Sequence, residues 1–246
     1  MKIYLDGFPQ DVESTDGWLD GSGIFETIKT VDSKAYSLER HLNRAEISAS
    51  VLGIRIPKRE EIAEVVSGIL IAQPHERGML RISFAQNSRW LAVHFPYEMP
   101  IGALDLRIHP SSINGLAHKV FPYSERLAIL AEAKNAGFDD SLTVNNEGKV
   151  CEGSVTNLIA KIGEDWITPP LSDGVLPGIM REILLENNLV SELSVALNSL
   201  KYISSAFLLS SLRIAQPISS IQGRPLHLSH AFGAQIHALA VKYSVG

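Results

Sequence analysis

The sequence predicts an α+β fold in two domains. Strand patterns and helix patterns are interspersed, without the regular strand–helix–strand order of a parallel α/β sheet. At least two β-hairpins are visible. One stretch, HPSSINGLAHK from His109 to Lys119, clusters Pro, Ser, Asn and Gly and reads as a linker. The expected division is a small domain over 1–109, a linker over 110–118 and a larger domain over 119–246. A chain of 246 residues is long enough to bury a core in each.

The elements follow in order. KIYLDG is a strand ended by Gly7. GIFETIKTVDSKAYS is a hairpin turning at Asp32-Ser33, and alternation puts Phe25, Thr27 and Lys29 on one face. Ser37 is placed to cap a helix. Leu38, Leu42, Ala45, Ala49 and Leu52 then recur at helical spacing up to Gly53. A second helix follows Pro57, with Ile62, Val65, Ile69 and Leu70 on one side. GMLRISFA, WLAVHFP and LDLRIHP read as strands. Beyond the linker come a helix over 124–136 and the hairpin SLTVNNEGKVCEG, which turns at Asn146-Glu147-Gly148. Strands over 158–162 and 166–168, a helix from Pro177-Gly178, strands over 207–210 and 214–221, and a helix over 229–243 complete the pattern.

Composition narrows the function. Hydrophobic residues make up 45% and charged residues 20%, which is ordinary for a globular protein. The net charge is −5 and the basic residues are scattered, so neither nucleic acid nor a membrane surface is an expected partner. A single cysteine, Cys151, cannot close an intrachain disulfide, and MKIYLDGFPQ has no apolar leader core. Both suit a cytoplasmic location. No apolar run is long enough to span a bilayer, and no metal site is expected. Cys151 itself reads as a small buried filler rather than a nucleophile.

Three stretches carry chemistry. VCEGSVTNLI sets one carboxylate, Glu152, in an otherwise apolar strand pattern. A buried carboxylate needs a cation, and no Lys or Arg in the stretch is placed to serve, so the expected partner is not protein. DGVLPGIMREILLE puts Gly178 at a helix start, where N–H groups and the dipole suit an anion and a glycine lets it come close. The same letters also describe an ordinary junction with Pro in the first turn. GLAHKVFPYSERL places Lys119 at the end of the linker. Most lysines are solvated surface charges, but a domain junction is where small-molecule clefts form. His118 beside it is read as incidental.

Together these motifs resemble the fold-type IV pyridoxal-phosphate enzymes, also called class IV aminotransferases. That family includes branched-chain aminotransferases, D-amino acid transaminases and 4-amino-4-deoxychorismate lyases. The resemblance covers nearly the whole chain, from DGSGIFETIKT and ERHLNRAEISASVLGI to KNAGFDDSLTVNNEGKVCEGSVTNLIAKIGEDWITPPLSDGVLPGIMRE. It implies a two-domain, D-amino acid aminotransferase-like fold, pyridoxal 5'-phosphate as cofactor, a small-molecule substrate and a homodimer. It further implies that Lys119 carries the cofactor and moves the α-proton, while Glu152 faces the pyridinium nitrogen. The N–H groups of Ile179 and Met180 would hold the phosphate with Arg44 and Ser211. Tyr123 would lie near the phenolic oxygen, with Thr156 and Asn157 as supporting residues. Each also has an ordinary structural reading: an exposed helix arginine, a strand hydroxyl, a tyrosine packed at a helix start.

Substrate recognition is expected on the Phe25, Thr27 and Lys29 face. D-amino acid transaminases carry an Arg-x-His carboxylate clamp in a small-domain loop. Here AQNSRWLAVHF offers Arg89 alone, and Arg107-Ile108-His109 lies in a strand. FETIKT, the post-lysine spacing and the short chain look most like the aminodeoxychorismate lyase branch. Pro122 departs from it, standing where relatives often carry Asn. The expected reaction is conversion of 4-amino-4-deoxychorismate to p-aminobenzoate and pyruvate for folate synthesis. The alternative is transamination of branched-chain or D-amino acids.

Overall fold

The computed structural model describes residues 1–113 and 115–244, so Asn114 of the expected linker lies outside the described residues. The chain runs β1 (Lys2–Leu5), β2 (Phe8–Asp11), β3 (Gly23–Val31), β4 (Lys34–Ala35), α1 (Leu38–Leu52) and α2 (Arg59–Ala72). It continues through β5 (Arg77–Ala85), β6 (Trp90–Pro96), β7 (Leu104–Ser112), β8 (Val120–Phe121), α3 (Ser124–Asn135), β9 (Asp140–Val144) and β10 (Lys149–Gly153). Then come β11 (Asn157–Ile162), β12 (Asp165–Thr168), α4 (Ile179–Glu186), β13 (Ser191–Glu192) and β14 (Val195–Ala196). β15 (Ile203–Ser210), β16 (Ile214–Ile221), β17 (Arg224–Pro225) and α5 (His230–Lys242) close the order. Among the described residues, no helix is long and apolar enough to cross a membrane.

Two compact units result. The first comprises Met1–Met99, His118–Pro122 and the residues from Lys242 on; the second comprises Pro100–Ala117 and Tyr123–Val241. This corrects the single cut near 109. β7 pairs in parallel with β9, Arg107 opposite Ser141, so it belongs to the second unit's sheet. That strand runs on to Ser112, which pairs with Val144, so 110–112 belong to the strand instead of a linker. Conversely, β8 pairs with β3 and returns Lys119 to the first unit.

In the first unit the sheet order is β2-β1-β6-β5-β3-β4, with β8 on β3. Asp32 and Ser33 take the left-handed conformations that a tight β3–β4 turn requires. One face of β3 and β5 presents Ile24, Ile28, Leu80, Ile82 and Phe84 to α1 and α2, whose Leu42, Ala45, Ile62 and Ile69 complete a buried core. Helix α1 ends at Gly53 with φ 67°, a left-handed closure that glycine meets without strain. Its start differs from expectation. Ser37 occupies the cap position in a left-handed conformation, but its hydroxyl accepts no N–H of its own helix and donates 2.7 Å to the Tyr243 carbonyl.

In the second unit the sheet runs β13-β12-β11-β15-β16-β7-β9-β10-β14, with an additional β10–β11 pairing. That pairing closes β11, β15, β16, β7, β9 and β10 into a ring. Leu106, Leu142, Val150, Leu158, Ala160, Leu208 and Ile218 fill its core. The rung that closes the ring joins Glu152 to Asn157.

Candidate active site

In the second unit, the EGSVTN turn is built tightly. The Gly153 N–H donates 2.8 Å to the Thr156 carbonyl, and a Cβ on Gly153 would stand 2.1 Å from Thr156 Oγ1. The turn brings Asn157 opposite Glu152, where Asn157 Nδ2 donates 3.1 Å to Glu152 Oε2. The Leu176 N–H donates to the same oxygen at 3.0 Å, while the Leu176 carbonyl accepts from Asn157 Nδ2 at 2.9 Å. Thus Asn157 ties β10 to the loop before α4.

Glu152 Oε1 faces Arg126 Nη2 at 3.2 Å, with the two side chains 6% and 3% exposed. This corrects the expectation that the carboxylate has no protein cation. The partner comes from α3, where Arg126 shares the buried stripe with Ile129 and Ala133.

Gly178 precedes α4 in an extended conformation, and the Glu182 N–H closes the first turn onto its carbonyl at 2.9 Å. A Cβ there would stand 1.8 Å from Asn157 Oδ1. The glycine is therefore required by the Asn157 side chain as well as by any anion. Ile179 and Met180 begin the helix, and both are buried. First-turn N–H groups have no partner four residues back, so this is the anion-seeking end. Thr156 Oγ1 is buried and has no hydrogen-bond partner among the described residues. A turn held open by two glycines, an unsatisfied hydroxyl, a held carboxylate and a helix start fit a ring with an anionic arm. Ser211 follows β15 in a turn, and Tyr123 sits just before α3, both partly exposed. Cys151 is buried, and burial, followed by the Glu152 charge, pushes its thiol up to about 11.

In the first unit, Lys119 lies beside Phe25, on the face of β3 away from α1 and α2. Its carbonyl accepts the Phe25 N–H at 2.9 Å, and its Nζ stands 4.4 Å from the centre of the Phe25 ring. Trp18 meets Phe25 edge-on at 4.7 Å. Arg81, opposite Thr27 in the ladder, stacks over Trp18 at 4.1 Å. Its Nη1 donates to the Asp16 carbonyl at 3.2 Å, and its Nε is buried with no hydrogen-bond partner among the described residues. Further along this ladder, Lys29, Arg77, Tyr97 and Met99 line a cavity of 290 Å³. Burial, and then the charge of Arg77, lowers the pKa of Lys29.

Arg44 and Glu26 form a two-bond pair on the helix-packed side, with Arg44 Nε to Oε1 at 2.9 Å and Nη2 to Oε2 at 2.5 Å. His41 Nδ1 reaches Oε2 at 2.6 Å. Burial alone would raise Glu26, but the Arg44 charge and the bonds from His41 and Arg44 hold it at about 2. Burial lowers the pKa of His41 against the pull of Glu26, so its neutral form donates from Nδ1. Arg89 is half-exposed at the β5–β6 turn in an ion pair with Asp6 at 2.5 Å, apart from the Phe25 and Arg81 face.

The sequence reading missed Arg81, Arg126 and the Glu26–His41 pair. Arg126 had a readable signal, a charge at helical spacing from Ile129 and Ala133. Arg81 needed the β3–β5 register, which no local pattern supplies.

Comparison with known proteins adds the family. The profile of the amino-transferase class IV family matches residues 23–221. A Methanocaldococcus jannaschii protein provisionally named a branched-chain-amino-acid aminotransferase is 25% identical over 92% of this chain and 90% of its own. A Schizosaccharomyces pombe protein provisionally named an aminodeoxychorismate lyase is 28% identical over 71% of this chain and 78% of its own. The crystal structure of a branched-chain aminotransferase from Thermoproteus uzoniensis superposes with a TM-score of 0.84, at 24% identity, over 99% of this chain and 93% of that one.

Proposed function

Because the chain belongs to the class IV aminotransferase family, whose enzymes depend on pyridoxal phosphate, we propose that it is a pyridoxal-phosphate lyase. Its substrate on this reading is 4-amino-4-deoxychorismate, and its products are p-aminobenzoate and pyruvate. The observation that carries the reading is the row of cations on the face of β3 and β5. Arg81 and Lys119 each stand over the Phe25 ring, and Lys29 and Arg77 line the cavity further along. A substrate with two carboxylates uses two such positions, and an anion beside Lys29 relieves the burial of its charge.

When bound, pyridoxal phosphate supplies a sink for the electrons released at the substrate α-carbon. Lys119 carries the cofactor through Nζ and moves the α-proton. The Phe25 ring beside that amine walls it from water. Glu152, oriented by Asn157 and Leu176, holds a proton at the ring nitrogen. The Ile179 and Met180 N–H groups, Arg44 and Ser211 bind phosphate, with Glu26 and His41 orienting Arg44. Tyr123 and Thr156 supply hydroxyls to the cofactor, and Thr27 and Lys29 contact substrate. Arg89, paired to Asp6, is the weakest member of the set. The working form is read as a homodimer, which light scattering tests.

The second reading is transamination, and the extent of the match to the M. jannaschii relative favours it. One experiment separates the two. Purified protein is given aminodeoxychorismate while p-aminobenzoate fluorescence and pyruvate are followed. Product formation supports the lyase. If no product forms, while an amino acid bleaches the visible cofactor band and a 2-oxoacid restores it, the lyase reading fails.

A further inference from the structure

We propose that Arg126 is a positioning residue that shares the charge of Glu152, so that the ring nitrogen of the cofactor keeps its proton less firmly than beside a lone carboxylate. The inference rests on the reading that Glu152 faces that nitrogen.

Arg126 is a costly residue where it stands. Its position on α3 is buried with Ile129 and Ala133, and neither Nη1 nor Nη2 has an aligned hydrogen-bond partner among the described residues. An apolar side chain would suit that stripe better. What compensates the guanidinium is Glu152 Oε1 at 3.2 Å. The other oxygen, Oε2, accepts from Asn157 and Leu176, which are neutral donors that fix the carboxylate without adding charge.

A carboxylate alone presents a full negative charge to a ring nitrogen and favours its protonated form. A carboxylate already paired with a guanidinium presents a dipole. The ring proton and Arg126 then compete for one anion. The electron sink is tempered, and removing the competitor strengthens it. The guanidinium also keeps Glu152 compensated before cofactor binds, which a carboxylate buried this deeply requires.

The test reconstitutes the full chain with pyridoxal phosphate carrying ¹⁵N in the ring and records that nitrogen's resonance. Arg126→Met should move it toward the protonated position, Arg126→Lys should keep it near wild type, and Glu152→Gln should move it the opposite way. In a parallel melt, cofactor should raise the Tm of Arg126→Met more than that of wild type, because the ring proton replaces the missing cation. If the Met variant does not fold, Arg126→Gln gives the same comparison with a donor but no charge. An unmoved resonance in the uncharged Arg126 variant, with Glu152→Gln shifted, overturns this inference alone. An unmoved resonance in Glu152→Gln overturns the placement of Glu152, and the inference with it.

Discussion

Glu26 and Glu152 are both buried glutamates that meet an arginine, and they are held differently. Glu26 receives the fork of Arg44 on both oxygens and His41 on one, so its charge is matched by aligned bonds. Glu152 meets Arg126 as an ion pair at 3.2 Å, and its Oε2 accepts from Asn157 and Leu176. Fork-to-fork pairing fixes an arginine's plane and makes the carboxylate a structural part. A carboxylate that meets its arginine as an ion pair retains a charge that chemistry can use. The difference lies in how the guanidinium meets the carboxylate, with two aligned bonds at Glu26 and an ion pair at Glu152.

The largest effect lies outside both pairs. Lys119→Ala should lower turnover by about 10⁴-fold with the melting temperature little changed. If borohydride reduction and peptide mapping label Lys134 or another lysine, the assignment to Lys119 is wrong. Next, Glu26→Gln should cost about 3–5 kcal/mol of stability, because Arg44 and His41 lose the anion that compensates them. Chemical denaturation measures it. An unchanged midpoint with lost activity would reverse the roles given to the two glutamates.

The same pair predicts an acid limb. The folded pKa of Glu26, about 2, lies below its ordinary 4.5. Its stabilisation is therefore complete above about pH 4.5 and is lost as pH falls through about 2. The loss is on the order of 3 kcal/mol. Denaturation midpoints across this window should fall steeply in wild type and more gently in Glu26→Gln.

Glu152→Gln should drop kcat about 10²-fold, since a charge interaction that strengthens in the transition state is lost, and should lower the melting temperature because Arg126 loses its anion. Full activity would mean that the carboxylate does not serve the ring. Smallest, Gly178→Ala should destabilise by about 1–3 kcal/mol by displacing Asn157. A thermal melt equal to wild type would show that Asn157 is not pinned there.

Local signals were legible in the sequence and distant pairings were not. The Asp32-Ser33 turn, the α1 stripe closing at Gly53 and the Asn146–Gly148 turn depend on neighbours in sequence, and each stands where the pattern put it. The EGSVTN turn escapes the pattern: its letters read as strand, although Glu152 and Asn157 are close along the chain. β7 was read correctly as a strand, but its sheet was not, because its partner β9 lies beyond a helix. The cation for Glu152 was hidden for the same reason, since Arg126 reaches it from α3. Ser37 shows the opposite hazard. Its residue type suggested a local bond, and a carbonyl far along the chain captured its hydroxyl.

That capture also orders events in time. Ser37 Oγ and the Tyr243 carbonyl are 206 residues apart. The Ser37 N–H likewise donates to the Ser244 carbonyl. A ribosome adding about 5–20 residues per second needs roughly 10–40 s between the two ends of this bond. During that interval the entry to α1 is served by water, while the residues of the second unit are being made. The unit begun first is completed last.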